Sequence, residues 1–194
     1  MEAQPIRLLA VTDAGETKNG VEYGILLPAL VGGGRAAGRI NRFYAVLRRR
    51  FLRKLRMLRT DAPTQVMLRY DVTHNDGAVL SIVREVRVRR GGCTESRRRA
   101  DVWDLRTGWP MGLQELFPQS ADIVQSAAQQ IARRLGVPPY SVAFRRVRRP
   151  AAVRRRMRED GFYVRDGWVT VFFNPGVLAP EEAGSMEFRI FAES

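Results

Sequence analysis

The chain of 194 residues is 45% apolar and 27% charged, enough to bury one sizeable core. A single cysteine excludes an internal disulfide framework and a cysteine-built zinc site, and a single histidine, His74, leaves little for metal ligation or histidine-based catalysis. The net charge of +13 is uneven: residues 1–34 carry −2, residues 159–194 carry −5, and residues 35–158 carry +20.

Such a field attracts acidic proteins, nucleic acid or other polyanions. Of the 33 basic residues 31 are arginine, a bias that a GC-rich genome also produces. The first twenty residues lack the apolar run of a secretory signal and turn polar by Thr12. GILLPALV falls far short of the roughly 20 residues a spanning helix needs. As written, the chain reads as cytoplasmic, with no membrane span.

In chain order, a strand-like segment from Tyr23 to Leu27 meets a break at Pro28, then glycines. From Ile40 the spacing turns helical. Ile40, Phe43, Tyr44, Leu47, Phe51, Leu55 and Leu58 share one stripe, with Arg39, Arg42, Arg49, Arg50, Arg53 and Arg56 largely off it, until Asp61-Ala62-Pro63 ends the helix. VMLRYDVTH then alternates, Val66, Leu68, Tyr70 and Val72 on one face. Asn75-Asp76-Gly77 turns the chain, and Leu80, Ile82, Val86 and Val88 return in phase up to Gly91-Gly92. ADVWDL predicts a third strand, closed by the turn Arg106-Thr107-Gly108. A second helix spans about Ser120 to Leu135, with Ser120 as N-cap and Ile123, Ala127, Ile131 and Leu135 buried. A short helical piece follows Pro150, then a hairpin about Asp166-Gly167 and a last strand MEFRIF. These elements predict an α+β fold, an antiparallel sheet with two main helices packed against it. One domain is expected over 1–194, with a strand-and-helix part at 21–62 and a sheet-and-helix part at 63–194.

The order YDVTHNDGAVLSIV, GG, DVWDLRTGWPMGLQELF, FYVRDGWVTVFF and LAPEEAG…EFRI is shared with a known family. It resembles the domain of unknown function in the extracytoplasmic part of RsiV-type anti-sigma factors, also found ahead of PdaC-type peptidoglycan deacetylase domains. The matching positions include Tyr70, Asn75, Leu80, Ser81, Ile82, Gly91, Gly92, Asp104, Thr107, Gly108, Phe117, Tyr163, Gly167, Pro180, Gly184, Glu187 and Phe188. The stretch from Tyr23 to Asn41 is similar to the companion module that usually precedes this domain. The resemblance implies binding or sensing rather than chemistry. The glycine loop departs from the family pattern, reading GGCTE where GGAHG is common.

Candidate chemistry is thin. Cys93 and Arg99 have the C-x5-R spacing of cysteine phosphatases, but no glycine lies between them, a strand follows rather than a helix, and Ala100 stands where a hydroxyl is needed. Gly32-Gly33-Gly34-Arg35-Ala36-Ala37-Gly38 is similar to a dinucleotide loop, but its spacing is wrong and no βαβ alternation follows. His74 reads as a sheet-edge residue. Asp71, Asp76, Asp101 and Asp104 could converge across strands, though Asp104 has the simpler task of bonding its own turn. Trp103, Trp109 and Trp168 read as core or turn residues. No catalytic residue, metal or cofactor is expected.

The resulting expectation is a non-enzymatic binding or sensor module that contacts an acidic protein partner. Its candidate contact loop is Gly91, Gly92, Cys93, Thr94, Glu95 and Ser96, together with the sheet face. Arg48, Arg49, Arg53, Arg97, Arg98, Arg99, Arg145, Arg146, Arg148 and Arg149 are candidate anion-binding residues; the alternative they support is non-specific nucleic-acid association. One branch of the resembled family binds a cationic muramidase, which two positive fields disfavour here.

Overall fold

Strand alternation along this sequence resolves into two stacked sheets, each with a helix on its outer side. The computed structural model describes residues 4–32, 34–135 and 149–191. In order, these form β1 (Arg7–Glu16), β2 (Val21–Val31), α1 (Gly34–Met57), β3 (Thr64–Asn75), β4 (Val79–Arg90) and β5 (Cys93–Asp104). Then come α2 (Leu113–Leu116), α3 (Ile123–Leu135), α4 (Pro150–Arg154), β6 (Phe162–Arg165), β7 (Trp168–Phe173) and β8 (Met186–Ile190). The fold is α+β, and α1 and α3 are its two long helices.

The first sheet has the order β1-β2-β3-β4-β5, and the second the order β6-β7-β8. The expected antiparallel sheet is mixed, because β2 and β3 pair in parallel, Val21 opposite Thr64 through Ile25 opposite Leu68. α1 is the reason: it carries the chain back along the sheet, the crossover that a parallel pair requires. β1 pairs with β2 along its whole length, yet no strand was expected before Tyr23. It is an edge strand exposed on both faces, so its apolar alternation is blurred. Pro28 does not break β2. It sits beyond Ile25, where β3 has diverged, and two residues later Leu30 turns its N–H away from β1 to Asn41 Oδ1. The missing Pro28 N–H faces that same unpaired side and removes no ladder bond.

α1 lays Ile40 and Tyr44 over Ile25, Leu27, Leu68, Leu80 and Ile82. The other face of β4 and β5 offers Val83 and Ala100 to Tyr163 and Phe172 of the second sheet. The outer side of that sheet is closed by α3, whose Ile123, Ala127, Ile131 and Leu135 pack with Val169, Val171, Phe188 and Ile190. The α3 cap is Asp122 rather than Ser120: Asp122 Oδ1 accepts the Gln125 N–H at 2.9 Å, while the Ser120 carbonyl accepts from Gln114.

Polar side chains lock the layers. Arg84 forks onto Asp101 (Nε–Oδ2 2.5 Å, Nη2–Oδ1 2.7 Å), with both side chains only 8% exposed. Tyr44 of α1 donates to the same carboxylate at 3.1 Å, and Trp103 Nε1–H donates to the Tyr44 hydroxyl at 3.2 Å. Burial, reinforced by the Asp101 charge, pushes the Tyr44 phenol well above its usual range. Burial opposes the Arg84 charge, but Asp101 more than offsets this and holds the guanidinium more firmly protonated than usual. Three asparagines each offer an amide in place of a missing strand partner: Asn41 to Leu30, Asn75 to Ile6, and Asn174 to Arg98. Each accepts an N–H and donates to the carbonyl of one residue, as a neighbouring peptide would.

Candidate functional site

The glycine pair is a two-residue turn. Gly91 and Gly92 have φ of 51° and 85°, and Arg90 pairs directly with Cys93 across them. Two consecutive positive φ values define the turn that best matches strand twist, and glycine enters it without strain. The expected loop from Gly91 to Ser96 is therefore a turn plus the start of β5. Cys93, Thr94, Glu95 and Ser96 extend opposite Arg90, Arg89, Val88 and Arg87. Cys93 is exposed. Six residues of extended strand put Arg99 about 20 Å from it, so no phosphate-wrapping loop joins them.

β3, β4 and β5 run beyond the second sheet, leaving one face of this end uncovered. Strand register builds that face row by row. The outermost row is Gln65, Arg89 and Thr94; the next is Met67, Arg87 and Ser96; the third is Arg69, Glu85 and Arg98. The opposite face of the same strands is closed by Leu55 of α1 on Val66. Between the first two rows and Gly92 lies a hollow of about 370 Å³. Further in, Arg69, Asp71, Glu85, Arg98, Tyr163 and Arg165 line a second, also about 370 Å³.

The two hollows differ in charge. The inner one is balanced: Arg69 with Glu85 at 2.5 Å, Arg98 with Glu187 at 2.7 Å, and Arg165 with Asp71 at 2.7 Å. The Tyr163 hydroxyl also donates to Glu187, at 2.9 Å, and Arg98 lies 5.2 Å over the Phe172 ring. Burial alone would raise the Glu85 carboxyl, but hydrogen bonds from Ser96 and Arg69 and the nearby Arg87 charge hold it below the usual carboxylate range. The outer hollow is unbalanced. The Arg89 side chain has no ion-pair or hydrogen-bond partner among the described residues, and Arg87 only grazes Glu85 at 3.5 Å, a carboxylate already bound to Arg69. Met67 adds an apolar patch, 40% exposed. Such a surface can hold an extended anionic chain; Glu85 is engaged with arginines, and Glu22, beyond Gln65 on the outermost row, accepts from Gln65 Nε2 at 3.4 Å.

The remaining sequence candidates scatter. Arg48 pairs with Asp13 at 2.5 Å, Arg97 with Glu181 at 2.8 Å and Arg99 with Asp160 at 3.0 Å, so with Arg98 four candidate anion ligands already face internal carboxylates. Arg49 and Arg53 are exposed on α1, and Arg149 immediately precedes α4. Arg145, Arg146 and Arg148 lie outside the described residues. His74 contacts Asp76 at 3.1 Å, and Asp76 accepts the Ala78 and Val79 N–H groups of its own turn. Asp104 bonds its turn as expected, through Arg106 N–H and the Thr107 hydroxyl. Asp101 belongs to the buried lock, and Asp71 to the inner hollow. Trp103 is core, whereas Trp109 and Trp168 are exposed. Among the described residues no three histidine, cysteine, aspartate or glutamate side chains gather as a metal site, and no helix is long and apolar enough to cross a membrane. Met67 and Gln65 were not singled out as site residues. The signal was their phase opposite Val66 and Leu68, in a strand whose other face carried the core.

No family model and no curated protein matches the sequence. Solved structures do match. A member of the DUF3298 family from Bacteroides fragilis superposes with a TM-score of 0.60 over 98% of this chain and 92% of its own, at 12% identity. A DUF3298 family protein from Pseudomonas aeruginosa does so with a TM-score of 0.56 over 97% and 91%, at 14% identity. At these identities the likeness is one of fold: the chain folds as these DUF3298 proteins do, nearly end to end.

Proposed function

We propose that the protein is a non-catalytic binding module that docks an acidic, extended segment of a protein partner on the uncovered face of β3–β5 beside the Gly91–Gly92 turn. The observation that carries this reading is the outer hollow, where the Arg89 side chain stands unpaired among the described residues and Arg87 shares Glu85 with Arg69, both next to exposed Met67. Paired cations beside a sulfur-bearing apolar side chain suit an acidic chain that also carries aliphatic residues. The resemblance to the RsiV-type extracytoplasmic domain, a binding rather than catalytic module, supports the same assignment. So does the absence of a free acid–base pair among the described residues of the inner hollow, where each carboxylate faces an arginine.

The test is a calorimetric titration with a peptide alternating glutamate and valine, using wild type and the R87E/R89E double variant. Wild type binds, and the double reversal weakens binding about tenfold or more. Equal affinity for both proteins, or tight binding of a cationic muramidase with indifference to the acidic peptide, overturns the assignment.

A further inference from the structure

The outer side of α1 is a second charged surface, separate from the docking face just described. The helix spans 24 residues and carries nine basic side chains and no acidic one. Two of the nine are engaged within the fold. Arg48 pairs with Asp13, and Arg39 donates to the Thr107 carbonyl at 2.9 Å while lying 4.8 Å over Trp109. The other seven have no ion-pair or hydrogen-bond partner among the described residues, and their residues are exposed.

Their spacing follows the helix period. Arg35, Arg42, Arg49 and Arg56 recur every seven residues, two turns or about 10.5 Å apart, and together span about 32 Å. Arg53 falls on the same crest as Arg35, and Arg50 and Lys54 lie to its other flank, so the charges fan over roughly 160° of the helix. A flat anionic surface would meet only the crest of such a fan. A concave polyanion meets both flanks. The major groove of a duplex is about 12 Å wide with phosphates on both walls, matching a helix about 10–12 Å across.

The aromatic rings near this surface are already occupied. Phe43 packs edge-on to Tyr44 and Trp103 at 5.2 and 5.0 Å, and Trp109 lies under Arg39. With these rings engaged, the described part of the ridge offers mainly charge, which favours phosphate contact over base reading. We infer that α1 docks double-stranded nucleic acid through its phosphates, without sequence preference.

Fluorescence anisotropy with a mixed-sequence DNA duplex, across salt concentrations, tests this. The expected dissociation constant near physiological salt is about 10⁻⁵ M, and log affinity falls linearly with log salt with a slope no steeper than about −6. Substituting Arg42→Ala, Arg49→Ala and Arg53→Ala together removes three crest contacts without touching the core. It should flatten the slope by about 3 and weaken binding at low salt by at least about 30-fold. The R87E/R89E variant should bind the duplex within about threefold of wild type, which separates failure here from failure of the peptide-docking assignment. Far-UV circular dichroism confirms that each variant folds. An unchanged slope in the triple variant, tighter binding of single strands than of duplex, or binding to phosphatidylserine vesicles without duplex binding overturns the inference.

Discussion

Asp101→Ala is the sharpest perturbation of this fold. The carboxylate receives two bonds from Arg84 and one from Tyr44, and both members of the ion pair are 8% exposed. Removing it strands a buried guanidinium between the sheet and α1 and takes the acceptor from the Tyr44 hydroxyl. Breaking a buried pair by deleting one partner costs about 3–5 kcal/mol. For a chain of this size that is roughly 6–20 °C in melting temperature. Urea unfolding followed by tryptophan fluorescence reads it directly, because Trp103 donates to Tyr44. The double change Arg84→Met with Asp101→Leu should recover most of the loss, since it removes the stranded charge and refills the volume. A loss under about 1 kcal/mol for D101A, or a double variant less stable than the single, would refute the reasoning.

Gly108→Ala should destabilise by about 2–4 kcal/mol in the same assay. Gly108 has φ of 73°, and an added Cβ would lie 2.5 Å from the Ala36 carbonyl oxygen at the start of α1. Asn174→Ala leaves the Arg98 N–H and carbonyl unpaired at the β5 edge and should cost about 1–3 kcal/mol, with faster hydrogen exchange around Arg98. The raised Tyr44 phenol adds stability that is intact below about pH 10, the unfolded value, and is lost as pH rises through the folded value. Urea midpoints measured upward from pH 8 should therefore fall less steeply with pH in Tyr44→Phe than in wild type; equal slopes contradict that assignment.

Much of the fold was legible because each element kept one clean period. The stripe from Ile40 to Leu55 and the alternation Val66-Leu68 pointed at their cores directly. Several of the residues on which the expected RsiV-type resemblance rests are fasteners. Ser81 Oγ accepts the Val164 N–H and so ties the two sheets; Asn75 holds Ile6; Gly108 lets α1 approach its turn; Glu187 receives Tyr163 and Arg98. They build the scaffold, so their order in the sequence discloses no ligand.

The rest was hidden for physical reasons. β1 is exposed on both faces and carries no apolar period. The parallel β2–β3 pair depends on where α1 returns the chain, which local spacing does not encode. Composition counts arginines but cannot say which ones meet carboxylates far along the chain, as Arg97 meets Glu181 and Arg98 meets Glu187. The site differs accordingly: the expected six-residue loop is a two-residue turn, and its neighbours Arg87, Arg89 and Met67 form the proposed docking face.

Amide spectra of isotope-labelled protein, recorded during titration with the glutamate–valine peptide, test that face most directly. The account predicts shift changes confined to Gln65, Met67, Arg87, Arg89, Gly91, Gly92 and Thr94, fading toward the inner hollow. Changes centred on α1 or α3, or none at a peptide excess that saturates calorimetry, would contradict it.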